Sequence, residues 1–131
     1  MKVVFHVDAL RELREARDWY TSQGVPAKGL ELVRLVDTRV AEIARAPESF
    51  PRDHKRSWAR RARILEWPFT LVFAIHDRET VVLLALAHGK RRPGYWAKRR
   101  QRTGKLRTTR SLSHSTAVDP SGSNGSSVFP A

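Results

Sequence analysis

The chain contains no cysteine. That excludes a disulfide framework, a thiolate nucleophile and any zinc site built on cysteine pairs, and it fits a reducing compartment. Long apolar runs are also missing. No stretch approaches the ~20 residues that a membrane-spanning helix needs. The opening MKVVFHVDAL brings charge too early for the apolar part of a signal peptide. The expectation is a cytoplasmic protein with no membrane partner. The five histidines, His6, His54, His76, His88 and His114, are too dispersed to suggest metal-ligand spacing, and no Gly-rich phosphate loop occurs. Neither a metal nor a cofactor is expected. Acidic residues are scarce: 13 Asp and Glu face 25 Lys and Arg, a net charge of +12, and residues 80 to 118 carry no carboxylate at all. Such a balance attracts phosphate backbones or acidic protein partners.

At 131 residues with 40% hydrophobic content, the chain can build one modest core. Val3 to Val7 is β-branched and aromatic and predicts a strand. Asp8 suits an N-cap. Ala9, Leu13, Ala16 and Tyr20 then recur at helical spacing until Gly24. Pro26 is placed to open a second helix, whose stripe runs through Leu30, Val33, Val36 (or Asp37), Val40 and Ile43 and stops at Ala46-Pro47. The short connection predicts an antiparallel helical hairpin. Residues 47 to 58 read as loop. From Arg61 the period becomes two: Arg61, Arg63 and Leu65 point one way, Ala62, Ile64 and Glu66 the other. Phe69 to Ile75 reads as a strand, His76 to Glu79 as a turn, and Val81 to His88 as a central, covered strand. The fold class is α+β: one strand, a helical hairpin, then three strands in a mainly antiparallel sheet with the helices on one face. The domain spans residues 1–100. Residues 101–131 turn basic and then Ser/Gly-rich, without apolar periodicity. They predict a disordered tail with no core contacts.

Three stretches together carry a resemblance. The first is the strand–helix–helix order, with a first helix reading ALRELREARDWY. The second is RRARILEWPFTLVFAI, a basic strand followed by an aromatic-rich one. The third and most specific is VLLALAHGKRRPGYWAKR, where a strand ends in His and runs into a basic turn and Pro-Gly-Tyr-Trp. Over roughly its first three-quarters the chain resembles the RelE/ParE toxin superfamily of type II toxin–antitoxin systems. The tail departs from that pattern. The resemblance implies a compact α+β fold and neutralisation by a cognate antitoxin, acidic enough to match this basic chain. It also implies one of two activities. RelE-like members cleave mRNA on the ribosome, and ParE-like members inhibit DNA gyrase and are not nucleases.

Metal-free RNA cleavage needs a group to take the 2′-hydroxyl proton, a cation for the phosphorane charge and a donor for the leaving oxygen. The candidates are Arg63, His88, Arg92 and Tyr95. His88 follows Val82, Leu84 and Leu86 in alternation, so it is either a strand-end proton carrier or a half-buried structural imidazole. Arg61 and Arg63 either clamp a phosphate or form a solvated edge face. Lys55, Arg56 and Arg60 in the loop, with Lys90, Arg91, Lys98 and Arg99 around Tyr95 and Trp96, form the candidate phosphate-binding set, because cations interleaved with rings suit RNA. Alternatively they are solvated bases, with Trp96 packed in the core. Glu66 points away from Arg61 and Arg63, which argues against a carboxylate base. On these residues the ribosome-dependent endoribonuclease is preferred and the gyrase inhibitor is the alternative.

Overall fold

The computed structural model describes residues 1–100 in full, and the backbone alone of Gln101 and of a strand at 106–108. Strand β1 (Lys2–His6) leads into helix α1 (Val7–Ser22) and helix α2 (Pro26–Arg45). A short 3-10 helix, Pro47–Ser49, and a loop follow. The chain then forms β2 (Arg60–Arg63), β3 (Phe69–Ile75) and β4 (Thr80–His88), a second 3-10 turn at Ala97–Gln101, and β5 (Leu106–Thr108). The sheet order is β2-β3-β4-β1-β5. β2, β3 and β4 form an antiparallel meander, β1 joins β4 in parallel (Val3 opposite Val81, Phe5 opposite Leu83), and β5 lies antiparallel to β1. The sheet is thus mixed, mainly antiparallel, and the α+β class is as expected. The sequence predicts no strand in 101–131, whereas residues 106–108 pair with β1. Residues 102–105 and 109–131, the rest of the expected tail, lie outside the described residues.

The hairpin forms where the turn residues require it. Gly24 takes φ +83°, a conformation that excludes most side chains, and Pro26 occupies the first turn of α2. Two local expectations are corrected. The cap of α1 is His6, whose Nδ1 accepts from the Asp8 N–H at 3.0 Å, so the strand ends before Val7 and Asp8 sits inside the first turn. There its carboxylate still favours the positive end of the helix. On α2, Leu30 is not on the buried stripe but 65% exposed. The stripe runs through Gly29, Leu32, Val33, Val36, Val40 and Ile43. Gly29 occupies the helix crossing: a Cβ there would lie 2.6 Å from the Arg17 carbonyl oxygen. With Gly29 facing α1, the next residue is turned outward.

Both faces of the sheet are covered. The helices bury Phe5, Ile64, Leu71, Phe73 and Leu83 with Leu13, Leu32 and Ile43. On the opposite face Val4, Val72, Val82 and Leu84 pack under Ala59 and Trp96, with Trp58 and Tyr95 at the margin. The segment after β4 therefore folds back across the sheet. A register shift opposite Val72 and Phe73 leaves Leu84 as an extra residue in β4. Past this bulge the alternation changes sides. His88 shares its face with Leu86, Leu83 and Val81, not with Leu84 and Val82 as strict alternation predicted.

Candidate functional site

β1 is shorter than the strand it accompanies. Its pairing with β4 ends at Phe5 opposite Leu83, so β4 continues with one edge uncovered. Two side chains close that edge. The Leu84 carbonyl accepts from Arg99 Nη1 at 2.8 Å, and the Leu86 N–H donates to Glu12 Oε1 at 3.0 Å. Arg99 and Glu12 also meet each other in bidentate fashion, Nη1 to Oε1 at 3.1 Å and Nη2 to Oε2 at 2.9 Å. The Tyr95 hydroxyl donates to Glu12 Oε2 at 2.8 Å. Asp8 and Arg91 stand at the rim, 3.8 Å from Arg99 Nε and 3.9 Å from Glu12 Oε2. Each Glu12 oxygen thus receives two hydrogen bonds, which uses the roughly four acceptor positions of a carboxylate. No lone pair remains to take a substrate proton.

This cluster corrects two expectations. Arg99, expected to hold phosphate, is buried and committed to Glu12 and Leu84. Burial pulls its guanidinium down, but hydrogen bonding to Glu12 more than offsets this and holds it above its ordinary value. Tyr95, expected to transfer protons, has its hydroxyl held by Glu12. Burial first, and the Glu12 charge second, push its ionisation well above the ordinary value of 10.0. Glu12 was not among the sequence candidates. The available signal was its position: it falls on the α1 stripe between Ala9 and Leu13, where a carboxylate requires a partner.

Tyr20, the only other tyrosine, is also shifted upward by burial. An ultraviolet titration is therefore expected to show both phenols ionising above 10.0 while the chain is folded, Tyr95 well above it. The sign follows from linkage: a group whose folded-state value is raised contributes its full stability below the unfolded value and loses it as pH rises toward the folded one. Stability should fall above about pH 10, and the Tyr95 phenolate absorbance should appear together with unfolding. A Tyr95 that ionised reversibly near 10 in the native protein would show that its hydroxyl is not held by Glu12.

The basic residues divide between two sites. On the sheet face away from the helices, Arg61 and Arg63 are exposed on β2. A groove of about 130 Å³ lies between Arg61 and the segment after β4, lined by Asp53, Thr70, His88, Arg91, Arg92, Tyr95 and the Pro93-Gly94 turn. Gly94 has φ +78°, with Pro93 before it and a Tyr95 N–H to Arg92 carbonyl bond closing the turn. Asp53 organises the loop: Oδ2 accepts from the Lys55 and Arg56 N–H groups, while Oδ1 lies 3.6 Å from Arg61 Nη1. Lys55 is exposed beside it, and the Arg56 guanidinium covers Gly94 and the Trp96 ring. Lys98 is exposed further along the same segment. Arg60, expected among the phosphate-binding set, instead donates to the Phe50 carbonyl at 2.7 Å and holds the loop in place.

His88 lies at the end of β4 and borders both this groove and the helix side. Its ring meets Phe69 edge-on at 5.2 Å, and Nδ1 accepts from the Lys90 N–H. With Ala16, Trp19, Tyr20, Lys90 and Arg91 it lines a helix-side cavity of about 420 Å³. Of the expected catalytic group, His88, Arg92 and Tyr95 line the groove beside Arg61, and Arg63 is exposed on the same face of β2. Among the described residues no cluster of three or more His, Asp or Glu could hold a metal ion, and no helix is long and apolar enough to cross a membrane.

A β-strand and helical hairpin backed by a three-stranded meander, with the basic residues gathered on the meander side, define a small basic α+β domain. The sequence profile of the ParE toxin of the type II toxin–antitoxin system parDE matches residues 3–93. The chain therefore belongs to the ParE toxin family, and its partner is an antitoxin. It is also similar in fold to a solved chain described as the chromosomal ParDE TA system from P. aeruginosa. That match has 19% identity and a TM-score of 0.60, and covers 67% of this chain and 95% of the other. No curated protein sequence matches it. Tyr95 and Arg99 lie just beyond the matched residues, whereas Glu12 lies within them.

Proposed function

We propose that this toxin acts on DNA gyrase as an inhibitor and does not cleave mRNA. The observation that carries the reading is the engagement of both proton-transfer candidates within the fold. His88 and Tyr95 line the groove beside Arg61 and Arg92, but His88 Nδ1 is taken by the Lys90 N–H and the Tyr95 hydroxyl by Glu12. Phosphate binding beside a tyrosine hydroxyl that is committed to a buried carboxylate does not by itself move the protons that phosphodiester cleavage needs. Membership of the ParE family supports the same choice over the endoribonuclease preferred from sequence.

The test is a pair of assays on the purified toxin. Gyrase supercoiling should be blocked, and mRNA on programmed ribosomes should remain intact. Tyr95→Phe and His88→Gln should leave the supercoiling block within a few-fold of wild type. For a true proton-transfer group, loss would cost about two decades or more in rate. Cleavage of ribosome-bound mRNA that disappears in either variant would restore the nuclease reading.

A further inference from the structure

The charge of this molecule is segregated between its two halves. Residues 1–51 contain eight bases and eight acids, whereas residues 52–101 contain thirteen bases and four acids. The first half supplies the helices and β1. The second supplies the meander and the segment folded over the far face of the sheet. Arg61, Arg63, Arg91, Arg92 and Arg100 border that face and are all exposed, and Lys98 is exposed on the same segment. Among the described residues no carboxylate pairs with Arg63, Arg92, Lys98 or Arg100. Arg61 has only Asp53 at 3.6 Å and Arg91 only Glu12 at 3.9 Å.

The aromatic rings within this basic surface are already covered. The Arg91 guanidinium lies 3.8 Å from the Tyr95 ring centre and Arg100 lies 4.4 Å from that of Trp58, while Trp96 is buried. Proteins that hold single strands stack bases on open rings, at about 1–3 kcal/mol per base. No ring here is offered for that purpose. Stacking does something else for the cations: it restrains two long side chains while leaving their N–H groups free to meet anions. The result is a surface of partly ordered cations without base platforms, suited to a regular array of phosphates.

We propose that this face binds duplex DNA through the phosphate backbone, without reading the bases. The link to gyrase, an enzyme that works on duplex DNA, rests on the reading above, but the binding itself does not. In the cell the contact would hold the toxin beside the DNA on which its target acts.

The experiment is fluorescence anisotropy of the full-length toxin alone with a short labelled mixed-sequence duplex, titrated across salt concentrations. Each phosphate contact contributes about −0.9 to the slope of log K against log salt. The triple variant Arg61→Gln/Arg63→Gln/Arg92→Gln should therefore flatten the slope by about 2 to 3 and weaken binding at low salt by at least about tenfold. Its melting temperature should not change, because all three side chains are exposed. The four bases of residues 102–110 are present in both proteins, so the difference isolates the sheet face. A single strand of the same length should bind more weakly than the duplex.

The proposal is overturned if the duplex does not bind at low salt, or if the variant keeps the wild-type slope. Tighter binding of a single strand would also overturn it. So would poly-glutamate displacing the duplex at equal charge concentration, which would point to an acidic protein partner. Because gyrase is absent from the measurement, loss of supercoiling inhibition and loss of duplex binding are separate results.

Discussion

Glu12→Ala is expected to destabilise the fold by about 3–5 kcal/mol, because it strands a buried guanidinium without its counter-charge. Arg99 and Glu12 side chains are 10% and 6% exposed, so solvent cannot replace the missing partner. Arg99→Ala should have a similar effect from the other side. The double variant Glu12→Leu/Arg99→Leu separates the roles of the pair. Removing both charges together is often neutral in a buried site. Here, though, the Leu84 carbonyl and the Leu86 N–H lose the partners that close the β4 edge, at about 1–3 kcal/mol for each group left unsatisfied. The double variant should be more stable than either alanine variant and still less stable than wild type. Urea denaturation monitored by circular dichroism measures all four proteins. A loss below about 1 kcal/mol for Glu12→Ala, the size of an exposed ion pair, would show that the cluster is open to water. Truncation after Pro93 removes Tyr95 and Arg99 together and should also destabilise the domain, even though the family profile ends there.

Gly29→Val should lower stability by about 1–3 kcal/mol through overpacking at the helix crossing. The obstacle is the Arg17 carbonyl oxygen, 2.6 Å from where the first side-chain carbon must go. Backbone cannot swing aside as a side-chain tip can, so α1 and α2 must separate. Gly29→Ala should be milder, since alanine recovers about 1 kcal/mol of helix propensity. Each 1 kcal/mol corresponds to about 4–8 °C in melting temperature for a domain of this size. A Gly29→Val protein that melts with wild type would mean that the helices do not approach this closely.

Much of the architecture was legible because its causes are local. Gly24 and Pro26 mark the hairpin turn, Pro47 the end of α2, and the period-two stretch around Arg61 to Arg63 the first strand of the meander. The site was harder to read. Strict alternation pairs His88 with Leu84 and Val82, but one extra residue at Leu84 reverses the alternation, and an isolated apolar run such as VVLLALA carries no mark of a bulge. Hydrophobicity alone puts Leu30 on the stripe, because it favours leucine over glycine. What matters at the crossing is how closely two backbones approach. Lys98, Arg99 and Arg100 are alike as text, yet Arg99 is buried while its neighbours face solvent.

Charge segregation, the strand–hairpin–meander order and the family resemblance all follow from the amino-acid sequence taken alone, since each depends on composition or on spacing over a few residues. The fate of individual polar side chains required the folded chain. Glu12 and Arg99 are 87 residues apart in sequence and meet only because β1 stops short of the end of β4 and the segment after β4 folds back over the sheet. A buried charge takes whichever partner the packing brings within reach, and that partner is set by long-range geometry that no local pattern encodes.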